Sequence, residues 1–567
     1  MMPRQKPGWL TGALIGALFT ATLIALLYLA DQAFGLPFPP FDVFDWIARV
    51  LPGQVITRGI DTMVEFIDRF DLGETSSTAK TLETLMALLT FFGGGVVTGA
   101  VLFAALNAAN PDLRGAARYL PGLAAGAVLG LPAILISQDV NVTATTSDSV
   151  SVLWLALAFL VWGAALSWAY YRLRRIMSGV SEHELAVVRP VPASSPTAAA
   201  GEAAHREVHV EPISRREFLI RVGGATATLT VFGAGLGRYL EYREEQQYQE
   251  RIEANLAATT PEGLPNAGAA VQPVPGTRPE YTPLEDHYRI DINLRPPEID
   301  GDAWALSIGG MVDNPRALTI DQIMNDYPAQ DQYVTLACIS NRIAGDLTST
   351  TRWTGAPLRD VLADAGVQDG ATHILIHSED GFFETVALDL IDSDERIMLA
   401  YHWDGIPLLH QHGFPLRVYI PDRYGMKQPK WITEIEVIDH DEDGYWVERG
   451  WDKVAQMRAT SVVDVVGETI ERDGQMFVPV GGIAHAGARG ISKVEVQVDD
   501  GEWQAAELRD PLSETTWVIW RYEWPFEEGE HRFAVRCYDG SGELQITEDN
   551  PTKPSGATGI HSLTREL

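Results

Sequence analysis

Hydrophobic and polar positions change their rhythm near residue 240. Before it lie four nearly uncharged apolar runs, Trp9 to Leu29, Leu85 to Leu106, Tyr119 to Ser137 and Val152 to Tyr170. Each is long enough to predict a helix that crosses a bilayer. A fifth run, Ile220 to Leu236, is rich in Gly, Ala and Thr and follows Ser214-Arg-Arg-Glu-Phe-Leu219. After residue 280 the runs shorten. Trp304 to Gly309, Gln332 to Cys338, His373 to His377, Pro415 to Ile420 and Ile432 to Val437 read as strands, with helical pieces at Thr319 to Asn325 and Pro357 to Ala365. This mixture predicts one α+β domain over 281–450. From about Thr460 the helical period vanishes. Gln475 to Val480, Ser492 to Val498, Thr516 to Arg521 and His531 to Tyr538 alternate apolar and polar residues between Gly/Asp turns, which predicts an immunoglobulin-like β-sandwich over 451–567.

The intervening composition supplies the rest of the plan. Residues 1–180 form a four-helix anchor and 181–212 a flexible Pro/Ala/Ser-rich linker. Residues 213–240 hold the fifth span, and 241–280 a charged neck, helical over Glu241 to Glu253, that runs into a Pro/Gly-rich linker. Arg4 and Lys6 precede the first span, Arg114 and Arg118 separate the second and third, and Arg172, Arg174 and Arg175 follow the fourth. Acids such as Asp31, Asp42, Asp45, Asp61, Glu65 and Asp71 fill the segment after the first. The positive-inside rule then predicts a cytoplasmic amino terminus, with 31–83 and 138–150 outside and 107–118 and 172–216 inside. Ser214-Arg-Arg-Glu-Phe-Leu219 resembles a twin-arginine export signal placed internally; the alternative is a fifth helix with ordinary positive-inside arginines. Either places everything after residue 240 outside the cytoplasm.

Charge narrows the partners. The chain carries a net charge of −33, concentrated after residue 240. This disfavours nucleic acid, whose affinity comes from Lys and Arg neutralising phosphates. It suits a surface that attracts basic partners. No span contains a histidine, the first in the chain being His183, so a bis-histidine haem cannot form within these spans and a haem partner would be another polypeptide.

The two cysteines, Cys338 and Cys537, form neither a CxxC pair nor a disulfide framework. Cys537 sits on an alternating strand and reads as core. Cys338 ends the run Tyr333-Val-Thr-Leu-Ala-Cys-Ile-Ser-Asn-Arg342, and a lone thiol at a strand end has three readings: buried apolar residue, nucleophile or metal ligand.

Further motifs stand in order around it: Asp286-His-Tyr-Arg-Ile290, Arg352-Trp-Thr-Gly-Ala-Pro-Leu358, Leu399-Ala-Tyr-His-Trp-Asp-Gly-Ile-Pro-Leu408, His412-Gly-Phe-Pro-Leu-Arg417, Tyr424-Gly425 and Lys430-Trp431. Together with Cys338-Ile-Ser-Asn-Arg342 they resemble the sulfite oxidase family of molybdopterin enzymes, over roughly residues 280–565. The resemblance implies a Mo-molybdopterin cofactor with Cys338 as metal ligand, because a soft thiolate suits a metal already held by dithiolene sulfurs. It implies pterin contacts from Glu285, Tyr288, Arg289, Ser378, Asp380, His412, Arg417, Gln428, Pro429 and Lys430. It implies substrate-side roles for Arg342, Phe382 and Arg521.

This chain departs from the sulfite-oxidising pattern beside the metal. Ile343 stands where a second arginine is expected, Phe382 where a tyrosine is, and Trp353 follows on a shortened loop. The expected activity is two-electron oxygen-atom transfer on a small S- or N-containing substrate, with electrons exchanged with a separate carrier such as a cytochrome or a quinone-linked protein. The alternatives are a quinol-fed sulfoxide reductase and a cofactor-free binding or scaffold protein on the same fold. The resemblance also allows a homodimer through the sandwich.

Overall fold

The computed structural model describes residues 6–70, 72–178, 214–258 and 263–567; the linker expected over 181–212 lies outside the described residues. Long apolar stretches give long helices. The spans read from hydropathy form α1 (Trp9–Phe34), α4 (Thr75–Ala109), α5 (Leu120–Val140), α6 (Asp148–Ser178) and α7 (Arg215–Ala258). All five are long and apolar enough to cross a membrane. α7 is 44 residues long because the fifth span and the charged neck form one uninterrupted helix. Between α1 and α4 lie α2 (Pro39–Val50) and the amphipathic α3 (Gly53–Phe70).

The chain divides into two units, Met1–Ile47 with Thr84–Gln246 and Ala48–Glu83 with Gln247–Leu567. The four-helix anchor expected over 1–180 is therefore interrupted, because residues 48–83 fold with the second unit. Inside the first unit small residues let helices approach closely. A Cβ on Gly122 of α5 would collide with the Gly163 carbonyl of α6, and one on Gly99 of α4 with the Gly12 carbonyl of α1. Polar groups there are satisfied internally. Asp42 accepts from Ser137 Oγ at 2.5 Å and from Asn141 Nδ2 at 2.8 Å, and Arg215, the first of the arginine pair, donates to Thr11 Oγ1 at 2.9 Å.

The second unit begins its sheets after residue 300. β1 (Ala305–Gly310), β2 (Arg316–Thr319), β5 (His373–Ser378), β6 (Phe383–Ala387) and β10 (Ile432–Ile438) form one sheet in the order β2-β1-β10-β5-β6, with β1 and β10 parallel. β3 (Gln330–Ala337), β4 (Thr348–Pro357), β7 (Met398–Trp403) and β8 (Ile406–Pro407) form a second, with β9 (Arg417–Tyr419) paired to β7. Helices α8 (Ile320–Asp326), α9 (Leu358–Ala365) and α10 (Leu388–Ser393) send Ile323, Val361, Leu362 and Ile391 into the core shared with Leu306, Ile376 and Ile435. Thr319 starts α8 with a capping box: its Oγ1 accepts from Gln322 N and Gln322 Oε1 accepts from Thr319 N.

The C-terminal strands β11 (Thr460–Val466), β12 (Ile470–Arg472), β13 (Gln475–His485), β14 (Ile491–Val498), β15 (Gln504–Ala505), β16 (Glu507–Leu508), β17 (Val518–Pro525), β18 (Glu530–Asp539) and β19 (His561–Glu566) make two antiparallel sheets. Val463, Val480 and Trp520 from one meet Val496, Phe533 and Cys537 from the other. Cys537 is fully buried, as a core residue should be.

One buried ion pair in this unit gives a stability test. Lys427 Nζ donates to Glu384 Oε1 at 2.6 Å and to the Thr385 carbonyl at 2.9 Å, while Glu384 Oε2 has no partner. Burial raises the Glu384 carboxyl and Lys427 opposes it. Lys427→Met strands that carboxylate, and urea unfolding should show a loss of about 3–5 kcal/mol.

Candidate active site

The site is built where β3 ends. Cys338 follows the last residue of β3, its N–H donating to the Leu347 carbonyl at 2.9 Å. A tight turn follows: Asn341 N donates back to the Cys338 carbonyl, Asn341 Oδ1 accepts from Leu347 N at 3.0 Å, and Ala344 takes a positive φ of 64°. The half-buried thiol lies 3.0 Å from Ser340 Oγ. Burial pushes the thiol up, and the Ser340 hydroxyl offsets only part of that rise. Among the described residues no three His, Cys, Asp or Glu side chains are arranged to hold a metal alone.

A single cavity joins Cys338 to Tyr288, His412, Arg417, Gln428, Pro429 and Lys430, and to Asp380 and Phe382 from the β5–β6 turn. Arg417, at the start of β9, is buried; it donates from Nη1 to the His412 carbonyl at 3.0 Å and lies 4.6 Å from the Trp353 ring. Burial lowers it to about 10, which leaves it charged at neutral pH. Lys430 pairs with the buried Asp291, which also pairs with Arg289. Burial alone would raise Asp291, but Arg289, Lys430 and Lys80 hold its carboxyl below the usual range. Burial lowers Lys430 to about 8 against the pull of Asp291. Asp380 is pushed up to about 7, chiefly by burial, although its Oδ1 accepts from Phe382 N.

Sequence reasoning missed His287, which also lines the cavity. It sits inside the motif Asp286-His-Tyr-Arg-Ile290 and packs 5.1 Å from His412 and 5.2 Å from Trp403, centroid to centroid. Burial lowers it to about 3. Its unfolded value is about 6.5, so the native protein holds it neutral and loses stability as pH falls from 6.5 towards 3. His287→Phe removes that term. Urea unfolding of cofactor-free protein should show wild type losing about 2 kcal/mol more than His287→Phe between pH 7 and pH 5.

Several expected residues lie elsewhere. Glu285 is exposed and does not line the cavity, because it sits in a short 3-10 turn that turns its side chain to solvent. Arg342 lines a second, smaller cavity with Arg278, His485 and Trp517, because the turn after Cys338 carries it away. Its neighbour Ile343 packs against Val462, Ile483, Trp517 and Ile519. Arg521, on β17, is tied to Glu523 and to the Gln272 carbonyl and lines neither cavity. Arg289 and Ser378 lie beside the first cavity without lining it.

The residues present fit a polar, anionic cofactor. His287 Nε2, Arg289 Nη2, Ser378 Oγ, Arg417 Nε and Gln428 Oε1 are buried without a hydrogen-bond partner in the structure. Each such atom costs about 1–3 kcal/mol unless something pairs with it. His287, Arg417 and Gln428 line the cavity that also holds the Cys338 thiol, with Arg289 and Ser378 beside it, a cradle that fits a large polar group.

The comparisons agree. Residues 293–446 match the family model described as the oxidoreductase molybdopterin binding domain. Nitrate reductase (NADH) 1 of Oryza sativa subsp. japonica is 29% identical over 47% of this chain and 36% of its own length. The mitochondrial sulfite oxidase of Macaca fascicularis is 29% identical over 43% of this chain and 53% of its own length. The match thus spans about half or less of those relatives. The solved sulfane dehydrogenase SoxCD from Paracoccus pantotrophus aligns at 18% identity and a TM-score of 0.44, over 52% of this chain and 82% of that one, a likeness too low to bear on the reaction. Residues 293–446 thus carry an oxidoreductase molybdopterin binding domain, and the chain is similar there to sulfite oxidases and nitrate reductases.

Proposed function

We propose that this is a membrane-anchored oxidoreductase that works outside the cytoplasm and transfers an oxygen atom to or from a small sulfur- or nitrogen-containing substrate. The observation that carries this reading is the cavity of Cys338 together with the unpaired buried polar atoms of the cradle. Bound Mo-molybdopterin supplies the two-electron oxygen exchange; the protein's part is to bind and orient it. Cys338 contributes the thiolate ligand. Arg417, Lys430, His412, Tyr288 and Gln428, with the backbone around Pro429 and the adjoining Arg289 and Ser378, hold the pterin. Asp380, partly protonated near neutral pH, holds a proton on Oδ2 beside the cavity, Oδ1 being occupied by Phe382 N.

Neither Arg342 nor Arg521 lines the cavity with Cys338. This favours an uncharged substrate over sulfite, since each charge-assisted bond to a dianion contributes about 1.5–3 kcal/mol. In the reductive direction an S-oxide, two protons and two electrons give the thioether and water. The electrons come from a separate carrier, a quinol-linked protein or a basic cytochrome docking on the acidic surface. Export of everything after residue 240 through the twin-arginine pair Arg215-Arg216, the sidedness of the spans, and a homodimer through an immunoglobulin-like C-terminal sandwich belong to the same proposal. The test compares sulfite oxidation with cytochrome c against dye-driven sulfoxide reduction. Faster sulfoxide turnover is expected, and faster sulfite oxidation would overturn the reading.

A further inference from the structure

The cavity around Cys338 is lined by more than the cofactor-binding domain. Ile60, Met63 and Val64 of α3 and Ala79 of α4 line it too. These residues lie more than 200 positions upstream of the matched domain, and nothing in the family resemblance assigns them a role. Their packing is fastened at several points. Lys80 Nζ donates to the carbonyls of Asp291 and Asn293 at 3.1 and 3.0 Å. Arg49 Nη2 donates to Asn293 Oδ1 at 3.0 Å and to the Asp380 carbonyl at 2.8 Å. Thr75 N donates to Asp346 Oδ2 at 2.7 Å, and Lys553 Nζ donates to Thr57 Oγ1 at 2.9 Å. Five of these six bonds fasten the end of α2 and the start of α4 to the segments that carry the cradle or the Cys338 turn, and the sixth holds α3, which lies between them, at Thr57.

The side chains they offer are apolar. Ile290, Ile339, Met426 and Trp451 extend the same apolar lining from the other side of the sequence. The cations present are already engaged: Lys80 with Glu83 and two carbonyls, Lys430 with Asp291, Arg417 with the His412 carbonyl. With the pterin held by Arg417 and Lys430 as proposed above, a small dianion entering here would lose its water and meet no uncommitted charge.

We propose that α3 and the first turns of α4 are the specificity wall of the active site, with Met63 at its centre. They select an uncharged substrate that carries an apolar substituent next to the reacting sulfur or nitrogen. This rests on the oxygen-transfer reading given above and adds to it the residues that choose the substrate.

The test uses the full-length protein with matched molybdenum content and three probes: methyl phenyl sulfoxide, dimethyl sulfoxide and sulfite. In Met63→Ala the KM for methyl phenyl sulfoxide should rise about tenfold or more, the usual worth of a few missing apolar atoms in a pocket. The KM for dimethyl sulfoxide should move much less and kcat should hold, the pattern of lost binding that is equal in ground and transition states. Calorimetric Kd values should follow the KM values. Val55→Ser, on the exposed side of α3 (Val55 is 51% exposed), controls for helix packing and should shift neither KM.

An equal rise for both sulfoxides, no rise for either, a Val55→Ser shift as large as that of Met63→Ala, or wild-type binding of sulfite tighter than of methyl phenyl sulfoxide would each overturn the wall. If wild type turns over neither sulfoxide, the proposed reaction fails, and the calorimetric ranking of the three probes still decides whether the wall selects as stated.

Discussion

Cys338→Ser is expected to abolish turnover, with a loss well beyond the hundredfold typical of residues that merely orient a metal ligand. The hydroxyl keeps the shape of the side chain but is a hard, weakly acidic ligand where a soft thiolate is required. Its fold should survive, because the turn that presents residue 338 is held by backbone bonds and by Asn341 Oδ1, none of which uses the sulfur. X-ray absorption at the molybdenum edge separates ligand loss from misfolding: one sulfur should disappear from the coordination shell while pterin content is retained. Full activity in the serine variant would remove Cys338 from the site.

Arg417→Met should cost the protein its cofactor. The guanidinium is buried, stays charged, spends Nη1 on the His412 carbonyl and leaves Nε without a partner. Its loss removes at least one charge-assisted bond of about 1.5–3 kcal/mol, so affinity for the pterin should fall about 10- to 150-fold. Arg417→Lys should not restore it, since an ammonium lacks the planar fork that serves the carbonyl and a ligand together. Molybdenum and pterin content of purified protein measure both variants. Normal content in Arg417→Met would mean that Arg417 supports the fold alone.

How far the sequence could be read follows from the range of the interactions. Helices α1, α4, α5, α6 and α7 were legible because a membrane span is a local property of some twenty residues; only their ends moved, as in α7, where the apolar run and the charged neck are continuous. Strands β3, β5, β10 and β18 were legible from alternation and turn residues. Cys338, Tyr288, His412, Arg417, Gln428, Pro429 and Lys430 were legible through the motif order, and the structure gathers them into one cavity.

Other features were not. The acids after α1 made residues 31–83 look like a loop, although Val55, Ile56, Ile60, Met63, Val64 and Ile67 carry a helical period that would have shown α3. That α3 lines the cavity depends on contacts across more than 200 residues, which no local pattern encodes. Arg342 and Arg521 carried motif resemblance, but side-chain direction decides where a residue acts: a turn takes Arg342 to the second cavity, and Glu523 ties up Arg521. His287 went unnamed because burial that lowers its pKa is a property of the packed site and not of the tetrapeptide around it.

The central claim is that Cys338 and the cradle bind molybdenum through a pterin. Metal and pterin analysis of the full-length protein, purified from a host able to make the cofactor, tests it directly. The expected result is near-stoichiometric molybdenum with pterin, and loss of both in Arg417→Met. Molybdenum-free protein from such a host, folded and with the unpaired cradle atoms satisfied by water alone, would contradict it.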